Sequence, residues 1–213
     1  MSFISKIMNH FHHSSSKRLL NHLKKKGVSI GTGCVFRSPK TAFIDLTRPY
    51  LIEIGNNVDM NINFKIYTHD WASLVFIAKY GQMLNSGGKV VIGNNVYFGA
   101  DVTVLKGVLI GDNCVIGAGS VVTHSIPANT VAVGNPCKVI DSIENYYHKR
   151  LQKALEEAVG VISAFFDRYG HWPQKSELIE EWIYFDKKSK QTLPVCFDSY
   201  EDFIKWCDKM RNK

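Results

Sequence analysis

The sequence lacks long apolar runs, a leader-like N-terminus and paired cysteines, and each absence excludes a class of protein. No apolar run approaches the roughly 18 residues of a membrane-spanning helix, so we expect no integral membrane segment. The N-terminus has neither the apolar core nor the cleavage site of a secretory signal, and we expect none. The cysteines are odd in number and scattered without a CxxC pair, which predicts reduced thiols and a cytoplasmic location. They are Cys34, Cys114, Cys137, Cys196 and Cys207.

Metal-ligand spacing and nucleic-acid motifs are missing as well. Neither cysteines nor histidines are paired at ligand spacing, so we expect no metal site, and His10, His12 and His13 are interpreted as a solvated cluster. The net charge is +7, and basic residues concentrate between Lys17 and Lys26. No aromatic residues are interleaved with them, which favours a solvated helix face and no nucleic-acid partner. A positive field would also suit an anionic cofactor.

Between Ile92 and Ile126 the chain repeats itself every six residues. Bulky apolar residues recur without a slip, glycine directly follows four of them, and a mostly compact residue comes four positions after each. This period fits neither an amphipathic helix nor an alternating hairpin strand, and it is typical of a hexapeptide-repeat β-helix. We expect the bulky residue to fill the interior of a prism and the glycine to turn the corner with a positive φ. The bulky residues are Ile92, Phe98, Val104, Ile110, Ile116 and Val122.

The same phase continues upstream through Ile54, Met60 and Ile66. We therefore predict one β-helix over residues 28–140, in preference to a β-sandwich of many short strands. The phase is lost at residues 70–89, which predicts a loop that leaves the coil and is too apolar to extend freely into solvent. Long ordered loops inserted into a regular scaffold are often functional.

Helical segments are predicted at both ends of the chain. Residues 1–27 have a mixed character, with Ser16 as a helix cap and Gly27 as the end of that helix. Residues 141–213 form a predicted C-terminal helical extension whose apolar residues follow helical spacing until Gly170. Its aromatic residues are interpreted as packing groups. Further helix caps are predicted at Ser176 and at Ser199 with Asp202.

Four segments make the pattern more specific. Val91–Gly99 resembles the coil that opens the cofactor site of hexapeptide acyltransferases, Ile110–Thr123 is similar to their final coils, and Ile126–Ile140 and Ile66–Trp71 match as well. The chain thus resembles coenzyme A-dependent O-acetyltransferases of the galactoside, maltose and capsule or lipopolysaccharide-modifying types. The resemblance implies a left-handed parallel β-helix, acetyl-CoA as co-substrate, a homotrimer, and a sugar or polysaccharide precursor as acceptor.

His69 stands in the Thr68-His69-Asp70 turn before the loop, where the resemblance places the catalytic histidine. Acetyl transfer from a thioester to an alcohol requires removal of the hydroxyl proton as the oxygen attacks. Imidazole suits this task because its unperturbed pKa lies near neutrality. We predict that His69 is the general base, and not merely a structural histidine in a turn. Asp70 points away from it in an extended chain, so a backbone carbonyl or another carboxylate is an alternative orienting group.

Four residues are predicted on the acceptor side. Asn61 and Asn63 lie in a segment that resembles a substrate-side segment of the sugar acetyltransferases, and asparagine stacking at the coil corners explains them equally well. Asp70 adjoins the histidine, and Trp71 with Tyr80 offers either a stacking platform for a sugar ring or an anchor for the loop.

The resemblance also implies a set of residues that bind the cofactor. Tyr97 stands where relatives often place a tryptophan beside the pantetheine arm, and Thr123 matches a hydroxyl position near the cofactor. His124 replaces a frequent lysine, Lys138 matches a basic residue near the nucleotide phosphates, and Asp141 falls where some relatives have arginine. Small residues are predicted to line the cofactor groove, although corner geometry alone also explains the glycines. They are Gly99, Ala100, Gly117 and Ala118.

Other functions and the assembly follow from the same pattern. An antibiotic of the chloramphenicol or streptogramin type, or an amino sugar, is an alternative acceptor. A carbonic anhydrase-type lyase needs three histidines on zinc, and the repeats hold only His69 and His124. A non-catalytic assembly module is a further alternative.

For the trimer we predict exposed apolar faces, with Val91, Tyr97, Val121 and Val131 as candidates.

Overall fold

The computed structural model describes residues 15–178 and 197–211. The described residues fall into two compact units, whose border in the sequence lies between Tyr146 and Tyr147. Within the described ranges, no helix is long and apolar enough to cross a membrane.

Short strands build the first unit. They are β1 (Ser29–Ile30), β2 (Val35–Phe36), β3 (Phe43–Ile44), β4 (Ile52–Ile54), β5 (Val58–Met60), β6 (Lys65–Ile66), β7 (Val90–Ile92), β8 (Val96–Phe98), β9 (Thr103–Val104), β10 (Leu109–Ile110), β11 (Cys114–Ile116), β12 (Val121–Val122), β13 (Thr130–Val133) and β14 (Lys138–Ser142). Sheet 1 has the order β1-β4-β7-β10, sheet 2 has β2-β5-β8-β11-β13-β14, and sheet 3 has β3-β6-β9-β12. All neighbouring strands pair in parallel except β13 and β14.

The predicted parallel β-helix is confirmed, because each coil of the chain contributes one strand to each of the three sheets. The bulky repeat residues stack in register: Met60 lies beside Phe98, and Phe98 beside Ile116. All six bulky residues between positions 92 and 122 are at most 1% exposed. One large side chain per face and coil therefore fills the interior of the regular coils.

The repeat glycines have a different role from the one predicted. None of the four has a positive φ; the left-handed residues come two positions later, as at Asn95 (φ 56°), Asp101 (φ 59°) and Asn113 (φ 56°). Asparagine and aspartate tolerate this region because their short polar side chains bond locally. Glycine is needed for close stacking of the coils, since a Cβ on Gly99 would lie 2.5 Å from the backbone nitrogen of Ala118.

The N-terminal end of the prism is covered by a helix, α1, over residues 15–25. Leu23 of this helix is buried in the same core as the coils, and Gly27 follows the helix with φ 104°. Ser16 lies within α1, and its hydroxyl accepts a hydrogen bond from the Phe36 amide at 3.0 Å. The helix shields interior apolar side chains that the terminal coil of a solenoid would otherwise expose to solvent.

The insertion at residues 70–89 contains a helix that was not predicted, α2 (Ser73–Tyr80). Gly81 ends the helix with φ 68°, and its amide bonds to the Ile77 carbonyl. The return limb of the insertion reaches the coil again at Gly88, whose amide bonds to the Thr68 carbonyl at 2.9 Å. The insertion is therefore a structured excursion closed by backbone hydrogen bonds. A short 3₁₀ helix, Pro49–Leu51, interrupts the preceding coil.

One of the predicted outer-face residues is buried within a single chain. Val131 is only 3% exposed, in strand β13 between β11 and the antiparallel strand β14. Tyr97 is 42% exposed, and Val91 and Val121 are half-buried. The prediction was thus wrong for Val131.

Helices α3 (Ile143–Tyr169) and α4 (Tyr200–Arg211) account for most of the described C-terminal extension. From Tyr147 onward these helices pack through a small core that includes Ile162 and Phe203. The predicted stop at Gly170 is confirmed, with φ 73°. Before α4, Ser199 Oγ accepts the Asp202 amide at 3.1 Å and donates to that carboxylate at 2.8 Å. A 3₁₀ turn lies at Lys175–Glu177, and the rest of the helix predicted after Ser176 lies outside the described residues.

Candidate active site

Two corners of the prism carry the predicted site residues. We call the corner between sheets 3 and 1 the histidine corner; it comprises Asp45–Arg48, Thr68–Asp70, Lys106 and Thr123–His124. We call the corner between sheets 2 and 3 the glycine corner; it comprises Asn61–Asn63, Gly99–Asp101, Gly117–Gly119 and Gly134. In each corner, successive coils place equivalent residues above one another because the flanking strands pair in register.

His69 is oriented by a buried carboxylate from the preceding coil. Its Nδ1 lies 2.7 Å from Asp45 Oδ2, and the side chains are 17% and 4% exposed, respectively. An ionised carboxylate only accepts hydrogen bonds, so Nδ1 carries the proton and Nε2 is left as the basic nitrogen. Thr47 Oγ1 lies 3.2 Å from the same Nδ1. This arrangement fixes both the tautomer and the ring plane of the imidazole.

Asp45 is held in its ionised form by hydrogen bonds. Burial raises the pKa of this carboxyl, but side-chain and backbone hydrogen bonds from Thr47 and Thr68 outweigh burial and hold the pKa well below its usual range. Thr47 donates to Oδ1 from its hydroxyl at 2.6 Å and its amide at 3.1 Å. Thr68 donates to Oδ2 from its hydroxyl at 2.5 Å and its amide at 3.0 Å. The carboxylate facing His69 is thus rigid and negatively charged.

Both ends of the insertion are fastened at the histidine corner. Lys106, one coil further along, bonds through Nζ to Asp70 at the start of the insertion and to Ser86 near its end. Ser86 Oγ also lies 2.8 Å from Asp70 Oδ2. These contacts hold the pKa of Asp70 well below its usual range, with the Lys106 hydrogen bond as the largest cause. His69 itself forms an antiparallel bridge with Gly87.

A cleft of about 290 Å³, including its open mouth, lies between His69 and the insertion. Trp71 is 64% exposed and stands edge-on to the His69 ring, with the two centroids 6.2 Å apart. Both polar and apolar side chains line the cleft. The lining residues are Arg48, His69, Asp70, Trp71, Ser73, Met83, Leu84, Asn85 and Ser86.

The predicted acceptor-side residues separate into two groups. Asp70 and Trp71 line the cleft with His69, whereas Asn61 and Asn63 belong to the glycine corner. Asn63 has φ 59° and donates to Asp101 Oδ1 at 2.7 Å. These features agree with the alternative explanation, asparagine stacking at a coil corner. Asn61 Nδ2 lies 3.4 Å from the Tyr97 hydroxyl.

The predicted cofactor residues are also divided between the corners. Gly99, Ala100, Gly117 and Ala118 stack at the glycine corner, each pair one coil apart. A Cβ on Gly117 would lie 2.6 Å from Val133 Cγ1, so coil stacking by itself favours a glycine there. Thr123 and His124 belong to the histidine corner, where Thr123 Oγ1 lies 2.8 Å from His124 Nδ1. Tyr97 and Lys138 are exposed on sheet 2.

Sequence reasoning missed Asp45 and Arg48, although it expected that another carboxylate could orient His69. Both residues lie between Phe36 and Ile54, where the bulky residues are no longer six positions apart. A 3₁₀ turn follows β3 in this part of the chain. The available signal was an acidic residue directly after the apolar pair of β3. In the described residues, no group of three or more histidine, cysteine, aspartate or glutamate side chains could hold a metal.

Known proteins share the coils that build this arrangement. Residues 89–124 match the family model described as bacterial transferase hexapeptide (six repeats). Protein CapG of Staphylococcus aureus is 43% identical over 132 residues, which cover 62% of this chain and 76% of CapG. The galactoside O-acetyltransferase of Escherichia coli (strain K12) is 42% identical over 104 residues, which cover 47% of this chain and 50% of that enzyme.

A solved maltose O-acetyltransferase from Clostridium difficile 630 has a loosely similar fold. The two chains are 28% identical, the match covers 66% of this chain and 89% of that one, and the TM-score is 0.41. The assignment therefore rests on the sequence matches and on the coils themselves. Because 76% of CapG is matched at 43% identity and the hexapeptide repeat is intact, the chain belongs to the family of hexapeptide-repeat acyltransferases.

Proposed function

We propose that the protein is a cytoplasmic, acetyl-CoA-dependent O-acetyltransferase that moves an acetyl group to a hydroxyl of a sugar or polysaccharide precursor. The observation that carries this proposal is the His69–Asp45 pair at the edge of a cleft. A neutral imidazole with a buried carboxylate behind it is the arrangement that general-base attack by an alcohol requires. The free buried thiols of Cys34, Cys114 and Cys137 agree with a reducing compartment.

His69 and Asp45 divide the proton chemistry between them. Nε2 of His69 takes up the hydroxyl proton while the acceptor oxygen forms its bond to the acetyl carbonyl carbon. When the carbon–sulfur bond breaks, His69 returns this proton to the sulfur, so that an acetyl ester and a free thiol are the products. Asp45 stabilises the transient imidazolium and keeps the ring from turning. The co-substrate contributes the acetyl thioester.

The active unit in this proposal is a homotrimer whose sites are shared between neighbouring chains. Within one chain, His69 and the small residues of the glycine corner lie at opposite ends of the strands of sheet 3. The insertion leaves a group of apolar side chains exposed in the single chain, which a neighbour would bury at about 25 cal/mol per Å². These side chains are Leu74, Val75, Ile77, Tyr80, Met83 and Leu84.

A neighbouring glycine corner would complete the site. Ala100, Ala118 and Gly134 form an outward stripe of small residues that allows close approach of a long, narrow group such as pantetheine. Tyr97 and Asn61 stand beside this stripe, and Lys138 supplies positive charge for the nucleotide phosphates. Three identical contacts of this kind close a ring without a free edge.

Release of free thiol tests the reaction. Purified protein is incubated with acetyl-CoA and a panel of sugars, chloramphenicol, a streptogramin and amino sugars. We expect thiol release only with hydroxyl acceptors of the sugar class, together with a stoichiometric acetyl ester. Turnover of an antibiotic in place of every sugar would assign a different acceptor, and no turnover with any compound would contradict the enzymatic proposal.

Mixing two inactive variants tests the shared site. His69→Ala removes the base, and Ala118→Trp blocks the exposed stripe without entering the coil stacking that Gly117 serves. Subunit exchange between equal amounts should restore about a quarter of wild-type activity, because each half-site is intact with a probability of one half. Light scattering should give three times the 24.1 kDa chain mass. If no activity is recovered although subunits have been shown to exchange, each chain holds its own complete site.

A further inference from the structure

One charged group in the histidine cleft has no partner among the described residues. Arg48 lines the cleft, and its guanidinium forms no hydrogen bond or ion pair with any residue in the ranges 15–178 and 197–211. The neighbouring carboxylates already have partners, since Asp45 is hydrogen-bonded to His69 and Asp70 is paired with Lys106. The donors of the Arg48 guanidinium are therefore available to a ligand beside the predicted base.

The local backbone keeps Arg48 at this position. Asp45 accepts the Thr47 amide and hydroxyl, which closes a tight turn directly before Arg48. The Arg48 carbonyl then accepts the Leu51 amide at 3.0 Å and starts the 3₁₀ turn. The segment that orients His69 therefore also fixes the backbone of Arg48.

The insertion makes room for the guanidinium. A Cβ on Gly87 would lie 2.5 Å from Arg48 Nη1, so the end of the arginine side chain rests directly against the backbone of the return limb. Arg48 is half-buried. A partly desolvated guanidinium without a partner in the described part of the chain keeps its five donors for a ligand, and its planar fork matches the two oxygens of a carboxylate or phosphate.

We propose that the acceptor of this enzyme is anionic and that its carboxylate or phosphate binds Arg48 while a hydroxyl faces His69. Trp71 offers an exposed ring face in the same cleft, against which a sugar ring packs. Arg48 is thus a specificity-determining residue for an acidic sugar, either a sugar acid or a phosphorylated sugar. This inference rests on the proposed function and names its substrate class.

The test compares matched acceptors with and without the negative charge. The methyl glycosides of glucose, galactose and mannose serve as neutral acceptors. Their uronic acids and their 6-phosphates serve as anionic acceptors, and these two arms distinguish the two sources of charge. Initial rates of thiol release give kcat and KM for each acceptor and for acetyl-CoA in wild type, Arg48→Gln and Arg48→Lys. Arg37→Gln is the control, because Arg37 pairs with Asp59 outside the cleft.

We expect wild type to prefer one anionic series over its neutral parents. Arg48→Gln should lower kcat/KM for that series about 10–100-fold, mostly through KM, as loss of a charged hydrogen bond implies. Arg48→Lys should restore part of the loss, and neutral acceptors should change little. Unchanged melting temperatures verify that the variants are folded.

The opposite results overturn the inference. They are a wild-type preference for neutral acceptors, an equal loss of activity toward both classes in Arg48→Gln, or a raised KM for acetyl-CoA with an unchanged KM for the acceptor. The last result would assign Arg48 to the co-substrate. In each of these cases acetyl transfer itself stands, whereas the absence of thiol release with every acceptor would reject the proposed function.

Discussion

The regular coils from Val90 to Ile126 and the histidine corner are built by the same chain in different ways. In the regular coils each side chain follows from its place in a six-residue repeat, and every bulky repeat residue is buried. At the histidine corner, Asp45 and His69 are 24 residues apart in the sequence and meet because the chain between them completes one irregular coil. The coils supply a regular frame, and the irregular segments hold the predicted base and its orienting carboxylate.

The difference shows where this fold tolerates polar groups. A buried carboxylate such as Asp45 would be costly in the regular interior, where only apolar side chains and small hydroxyls or thiols are present. At the corner its cost is offset by the hydrogen bonds of Thr47 and Thr68. Such groups can be expected only where the repeat is interrupted.

The largest expected effect would come from removing the base at the corner. His69→Ala should lower kcat roughly 10²–10⁴-fold, the usual contribution of one general base. The coils should remain intact, because the side chain lies at a corner and not in the interior. The measurement is kcat with the true acceptor, alongside circular dichroism. A variant that keeps more than about a third of wild-type turnover would rule out this role.

The orienting carboxylate should have the next largest effect. Asp45→Asn places an amide NH₂ among groups that already donate, so we expect kcat to fall about 10–100-fold, as for a group that acts by holding a catalytic residue. Asp59→Asn is the matched control, since Asp59 is an ion-paired carboxylate without contact to His69. Equal losses in the two variants would contradict a positioning role for Asp45.

The same substitution has a pH signature in stability. The pKa of Asp45 is lowered on folding, so its contribution to the unfolding free energy is complete above the ordinary carboxyl pKa of 3.8 and is lost as the pH falls below that value. Asp45→Asn should therefore be less stable than wild type by about 1–3 kcal/mol at pH 7. Urea unfolding from pH 7 to 3 should show that the difference in unfolding free energy between wild type and Asp45→Asn becomes smaller in acid. If this difference did not change with pH, Asp45 would not be ionised in the folded protein as assigned.

The regular coils can be tested with a pair of glycines. Gly99→Ala would drive a Cβ into the Ala118 backbone and should cost about 1–3 kcal/mol, as overpacking does. Gly119→Ala meets nothing within 4 Å and has only its φ of 70° to strain, which costs about 1 kcal/mol. Thermal unfolding measures both. If Gly119→Ala were the more damaging, the corner would depend on φ and not on stacking.

The smallest effect is expected in the helical extension, which follows ordinary helix rules. Gly160 lies within α3, and a Cβ added there would meet nothing within 4 Å, so Gly160→Ala should stabilise this unit by about 0.5–1 kcal/mol. Gly170→Ala is the control and should destabilise, because φ is 73° there. Hydrogen exchange of α3 amides would report both changes.

Much of the fold was predictable because a β-helix repeats its own constraints. Ile92, Phe98 and Ile116 could be assigned to the interior from spacing alone, since one period fixes which side chain points inward. The same reasoning gave a wrong cause for Gly99, because close stacking of the next coil is invisible in a single repeat. Val131 was expected to be exposed, yet it is buried in a strand that pairs with the antiparallel strand β14, which no repeat predicts.

The candidate site was predictable in part. His69 was found from a short motif, and Trp71 from its place beside it, and the structure brings both to one cleft. Asn61 lies instead at the other corner, beside Tyr97, because corner position depends on the phase of the coil and not on distance in sequence. The roles of these residues remain predictions.

By itself, the sequence determined the repeat, the interior residues and the position of the histidine, because periodicity and short motifs are local properties of the chain. Only the tertiary structure decided that Asp45 orients His69, that Lys106 fastens the insertion, and that Arg48 stands in the cleft without a partner among the described residues. The first two of these contacts join different coils. These contacts form only if the irregular segments shift the six-residue repeat by the right number of residues. Packing of the whole prism determines that shift.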